Sequence, residues 1–153
     1  MKPTTGRGQS TGPRSGFTLL ELLLVVVLMG IILAMTAPRI GAAAARRGVV
    51  GATSGFEALF RRARATAIQN RLPATITFAS GRATVTIIRS GTSQVVGQVL
   101  DFPDQYNLTP TVTANTLRIE PTGLVVSGTP YSFIATRQGE ADTVMITGYG
   151  RIQ

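Results

Sequence analysis

The chain has 153 residues and a formal charge of +8, set by fourteen arginines and one lysine, Lys2, against seven acidic side chains. It contains no cysteine, histidine or tryptophan, which excludes disulfide frameworks, thiolate chemistry, soft-metal clusters and histidine-based triads. The length suits one domain, and the excess of arginine favours anionic partners without dictating a fold.

Residues 1–16 are rich in Gly, Pro, Ser and Thr, and their lack of apolar periodicity predicts a flexible leader. From Phe17 to Ala37 the only strongly polar side chain is Glu21. At about 1.5 Å per residue, a helix through this run reaches roughly 30 Å, the thickness of a bilayer's hydrocarbon core. An ordinary secretory signal fits poorly, because its apolar region is shorter, free of acid and followed by a small-x-small cleavage site. Ala42-Ala43-Ala44 could supply such a site but lies well past Pro38. A carboxylate inside an apolar helix is costly and marks a functional candidate. Loop charge does not orient the segment: Lys2, Arg7 and Arg14 precede it, and Arg39, Arg46 and Arg47 follow it.

After Pro38 the pattern stays helical through about Arg71. Val49, Ala52, Phe56, Leu59, Phe60, Ala63 and Ala67 fall on one stripe. Arg46, Arg61, Arg64 and Arg71 fall on the opposite side, with Glu57 and Arg61 at a favourable i, i+4 spacing. Pro38 is expected to kink the helix by removing a backbone donor. Gly41, Gly48, Gly51 and Gly55 are each expected to weaken it by up to about 1 kcal/mol relative to alanine.

Pro73 ends the helix, and the period changes to two. Ile76 and Phe78 alternate with Thr75 and Thr77, Ser80-Gly81 turns, and Ala83, Val85 and Ile87 alternate with Thr84 and Thr86. Further apolar runs at Val95–Leu100, Leu117–Ile119, Leu124–Val126, Tyr131–Ala135 and Val144–Thr147 read as strands. The expected fold is α+β, one long helix packed on antiparallel sheet. Asp101 and Asp104 flank a Phe-Pro pair that reads as a turn, and two carboxylates fall short of the six to eight oxygens calcium takes. Glu120, Glu140 and Asp142 show no spacing for acid–base work, so no catalytic site, metal or cofactor is expected.

Gly16, Phe17, Thr18, Leu19, Glu21 and Pro38, behind a basic polar leader, resemble the N-terminal signature of type IV pilins and type II secretion pseudopilins. A second resemblance, to the GspH/FimT-type branch, rests on three stretches. They are Arg62-Ala63-Arg64-Ala65-Thr66-Ala67-Ile68-Gln69-Asn70, Leu117-Arg118-Ile119-Glu120-Pro121-Thr122-Gly123, and the ending Thr143–Ile152 with Gly150-Arg151. Residues 91–116 carry no such match.

The resemblance implies a pilin-like fold with a leader (1–16) cleaved by a prepilin peptidase between Gly16 and Phe17, and N-methylation of Phe17. A small glycine suits an extended strand in a tight peptidase site. It further implies a transmembrane and assembly half (17–38), an amphipathic half (39–72) and a β-rich head (73–153). Glu21 would pair with the terminal amine of a neighbouring subunit and set assembly register. The implied protein is a low-copy minor subunit near the tip of a hetero-oligomeric filament, helping filament initiation and secretion or pilus biogenesis. It would be single-pass in the inner membrane, with its head in the periplasm. Two other functions fit the residues. One is a pilus-associated DNA receptor using Arg61, Arg64, Arg71 and Arg151, with arginine suited to phosphate. The other is a membrane-anchored β domain unrelated to filaments.

Overall fold

A computed structural model describes residues 17–126 and 129–153, without the side chains of 36–40. The expected leader and Gly16 lie outside the described residues. Helix α1 spans Leu19–Asn70. It is followed by β1 (Ala74–Ala79), β2 (Arg82–Arg89), β3 (Thr92–Val95), β4 (Leu100–Asp101), a short helix α2 (Phe102–Tyr106), β5 (Thr111–Val112), β6 (Thr116–Ile119), β7 (Val125–Val126), β8 (Tyr131–Arg137) and β9 (Glu140–Ile146). The chain divides into two compact units between Pro38 and Arg39.

In the first unit the helix starts at a capping residue. Thr18 Oγ1 accepts from the Glu21 backbone N–H at 3.2 Å, and Thr18 O accepts from Leu22 N–H at 3.2 Å. Thr18 and Glu21 stand at the first and last positions of a Thr-x-x-Glu sequence, which satisfies an orphan donor of the first turn and places an acid at the positive end of the helix. Side chains from Phe17 to Met35 are exposed. Among the described residues no helix is long and apolar enough to cross a membrane. The helical assignment runs through Pro38 without interruption; the side chain at this expected kink lies outside the described residues.

In the second unit the expected stripe is the buried face of the helix. Val49, Ala52, Phe56, Leu59, Phe60, Ala63 and Ala67 are all in the core, joined by Ala45, Thr53 and Thr66. They meet the inward rows of two antiparallel sheets. One runs β3-β2-β1-β6-β7, with β4 also paired to β2, and the other runs β5-β8-β9. The alternation expected for β1 and β2 sets their register: Ile76 pairs with Val85 inside, and Thr75 with Thr86 outside. At the centre, Phe56 stacks on Phe133 with ring centroids 4.3 Å apart, and Phe102 lies 5.2 Å from Phe133.

Three hairpins use one device. Ser80-Gly81, Ser90-Gly91 and Gln138-Gly139 all have positive φ at both residues, the backbone that matches strand twist across a two-residue loop.

Several expectations are corrected. The helix stops at Asn70, where Arg71 adopts φ 54° and the N–H groups of Arg71 and Leu72 donate to the carbonyls of Ile68 and Ala67 at 3.3 Å. This is a Schellman close with arginine in the place usually taken by glycine. The Asp101–Asp104 segment is the start of α2: Asp101 Oδ1 accepts from Asp104 N–H at 3.1 Å as its N-cap. The Val95–Leu100 run is mostly loop, because Gly97 takes φ 84° and only its two ends pair in the sheet. The last strand starts at Glu140, earlier than its apolar run, because its first half is a polar, exposed edge.

The helix glycines also have a packing role. A β-carbon at Gly51 would stand 2.9 and 3.0 Å from Tyr106 ring carbons, and one at Gly55 would stand 2.6 Å from its hydroxyl. At Gly48 it would meet Arg137 Nη1 at 2.7 Å. The missing side chains let α2 and the end of β8 lie close on α1. Gly41 has nothing within 4 Å.

Candidate functional site

The N-terminal site is built by the cap just described. Thr18 holds the first turn, so Phe17 is the residue immediately outside the helix and is exposed. Glu21 is exposed, and its carboxylate has no partner among the described residues. Phe17 precedes Glu21 by four residues, with the Thr18 cap between them. The start of the helix therefore carries an exposed phenylalanine and an exposed carboxylate.

The four candidate arginines differ in what they do. Arg61 bonds Glu57 at 3.0 Å as the sequence spacing suggests, with its side chain largely in water. Arg71 is exposed and closes the helix. Arg151 is exposed, and its backbone closes the terminal turn: Thr147 N–H donates to Arg151 O at 3.0 Å.

Arg64 is half-buried, in contrast to the solvent-facing position expected. Its Nη1 donates to the Gly150 carbonyl at 3.0 Å. A β-carbon at Gly123 would stand 2.9 Å from Arg64 Nε, and one at Gly150 would stand 2.7 Å from the Gly123 carbonyl and 3.5 Å from Arg64 Cζ. Both glycines are buried with φ of 81° and 69°, a conformation that side chains disfavour. One arginine thus ties the helix to the turn after β6 and to the loop after β9. The three stretches singled out in the sequence, Arg62–Asn70, Leu117–Gly123 and Thr143–Ile152, meet here. That convergence is structural, and it removes Arg64 from the surface available to a phosphate.

Two other polar contacts were not visible in sequence. Thr53 is buried, and its hydroxyl donates to Asp142 Oδ2 at 2.8 Å, 89 positions away. Asp101 bonds Arg82 Nε at 2.6 Å as well as capping α2. Its carboxyl is held below the usual value of 3.8, first by the Asp104 N–H and then by the Arg82 side chain. Among the described residues no group of three or more acidic side chains could hold a metal ion.

Two family models match the chain. The prokaryotic N-terminal methylation motif covers residues 13–37, and the Type II transport protein GspH model covers residues 52–150. Two crystal structures of the Pseudomonas aeruginosa (strain PAO1) type IV minor pilin FimU share the fold. One aligns at TM-score 0.56 and 20% identity over 67% of this chain and 89% of that one. The other aligns at TM-score 0.53 and 19% identity over 78% and 90%. No curated protein matches the chain. With residues 52–150 matched by that model and the methylation motif ahead of them, this chain belongs to the GspH family of type II transport proteins.

Proposed function

We propose that the chain is made as a precursor, cut between Gly16 and Phe17 by a prepilin peptidase, and methylated on the Phe17 amine. Residues 17–38 then hold the subunit in the inner membrane with its head (73–153) in the periplasm. From there it enters a hetero-oligomeric filament as a low-copy subunit near the tip, where it helps initiation.

The observation that carries this reading is the match of residues 13–37 to the methylation motif directly ahead of a matched GspH head. The first turn supports it. Glu21 has its backbone N–H satisfied by Thr18 and its carboxylate unpartnered within the described chain, in a run that is otherwise apolar. Taking that charge into an apolar environment costs several kcal/mol unless a cation meets it. The amine of a neighbouring subunit's first residue is a cation of the required kind, and the pairing would fix axial register. Neither the arginine geometry nor the family matches support the DNA-receptor reading.

Mass spectrometry of the membrane-extracted protein tests the processing step. Loss of residues 1–16 and one added methyl on Phe17 are expected; a chain beginning after Ala37 or Ala44 refutes it. Glu21→Leu should be cut normally, since the helix only becomes more apolar, yet enter filaments poorly. Normal filament incorporation of that variant would remove the register role.

A further inference from the structure

Six arginines of the second unit have a side-chain partner among the described residues. Arg61, Arg82 and Arg118 bond carboxylates, Arg64 and Arg137 bond backbone carbonyls, and Arg89 bonds Asn70. Arg62 has none among the described residues, although its position is restricted. Its guanidinium lies against Gly97, where a β-carbon would overlap Cζ and stand 2.6 and 2.7 Å from the two Nη atoms. Gly97 has φ 84°, so this loop position is open to the arginine twice over, by its backbone and by its missing side chain.

Arg62 also lines a cavity of about 220 Å³ between α1 and the 98–105 segment. Gln98 and Gln105, whose side chains end in amides, line it too, and Leu59, Leu100 and Ala58 give it an apolar wall. No acidic side chain lines it. Arg46 also faces a cavity, but Glu140 and Asp142 already supply the opposite charge there.

We propose that the Arg62 cavity is a socket for an aspartate or glutamate side chain of a neighbouring filament subunit. The inference rests on the filament-subunit reading and names the chemistry of one contact in it. A guanidinium offers two parallel N–H donors to one carboxylate. The glutamine amides can donate to its remaining lone pairs, and the apolar wall accepts the methylenes of the acid's stem. A nucleic-acid phosphate fits less well, because backbone binding draws on several cations and Arg62 is the only one lining this cavity.

The composition of the chain supplies the test. Lys2 is the sole lysine and lies in the segment to be removed, so the processed chain offers a carbodiimide no side-chain amine. Full-length Arg62→Lys places one in the cavity. In isolated filaments, carbodiimide should couple that amine to an aspartate or glutamate of another subunit, at least tenfold above the unsubstituted chain, as mapped by mass spectrometry. Arg62→Glu should lower filament incorporation about tenfold, the scale of one charge-assisted contact. Its thermal midpoint should be unchanged, because Arg62 is exposed and has no hydrogen-bond or ion-pair partner among the described residues.

If the unsubstituted chain enters filaments but Arg62→Lys couples no more than background, or only to its own Glu57 or Asp101, the socket is refuted and the filament reading stands. If the unsubstituted chain never enters filaments, both fail. Absence of the amide together with Arg62-dependent retention on duplex DNA would make a phosphate the occupant and overturn the proposal.

Discussion

Replacing Gly51 by alanine sets two effects of opposite sign against each other. Alanine in a helix interior is favoured over glycine by about 0.8–1.0 kcal/mol. At Gly51 the new β-carbon would stand 2.9 and 3.0 Å from Cε1 and Cδ1 of Tyr106, well inside contact distance. The ring cannot simply swing away: it lies 6.0 Å, centroid to centroid, from the buried Phe102, and its hydroxyl end sits over Gly55. Over-packing of this kind costs about 1–3 kcal/mol. The net expectation is a loss of about 1 kcal/mol, or about 4–6 °C in thermal midpoint for a domain of this size. Gly41 is the control, because nothing lies within 4 Å of its added carbon; there the propensity term acts alone and alanine should stabilise by up to about 1 kcal/mol. Thermal melts of the full chain in detergent, followed by circular dichroism, compare the two. A double-mutant cycle with Tyr106→Ala should turn Gly51→Ala from destabilising to stabilising. If Gly51→Ala raises the midpoint as Gly41→Ala does, the close-approach account is wrong and the glycines only weaken the helix.

Arg64→Ala removes the charge-assisted bond to the Gly150 carbonyl and should cost about 1–2 kcal/mol. Faster hydrogen exchange should appear at Val125 and Gly150, whose N–H groups bond Gly148 O and Thr147 O, and unchanged exchange there would refute the tie. Arg71→Gly should stabilise by about 1 kcal/mol, because φ 54° is a conformation glycine adopts without the side-chain penalty; a lower midpoint in urea would contradict it. Burial pushes the Tyr131 phenol well above its usual pKa of 10.0, and its hydroxyl donates to Ala114 O at 2.9 Å. The folded state therefore holds a proton that the unfolded chain releases above pH 10, so this contribution is complete below pH 10 and falls as pH rises beyond it. Tyr131→Phe should flatten the alkaline side of a stability-versus-pH curve.

What could be read in the sequence was local and periodic. The stripe from Val49 to Ala67 is buried at every expected position, because spacing of three and four residues maps directly onto one helix face. The β1 and β2 alternation carried through to cross-strand register for the same reason. The short helix after Asp101 left no such trace, since five residues are too few to show a period. Its start signal was nevertheless present: an aspartate N-cap followed by a proline in the first turn. The Val95–Leu100 run misled because valine and leucine read alike in a strand and in a loop folded down onto a helix. Gly97 was the residue that distinguished the two.

The roles of the glycines and arginines were harder to read, because each is decided by a partner far along the chain. Gly51 looks like a weak helix residue until Tyr106 arrives, and Arg64 looks like one more charge on a solvated face until Gly150 does. Both contacts depend on atoms that are absent at the glycines, which hydropathy cannot register. The three arginines of the Arg61–Arg64 segment accordingly separate into three uses. Arg61 forms a local pair at the spacing the sequence shows. Arg64 reaches a buried carbonyl 86 positions away. Arg62 rests on Gly97 without a counter-charge. A basic stripe of this kind gives one electrostatic signal in sequence, yet two of its members satisfy needs within the fold. What remains for a partner is a single guanidinium beside an apolar wall, a feature suited to one carboxylate better than to a polyanion.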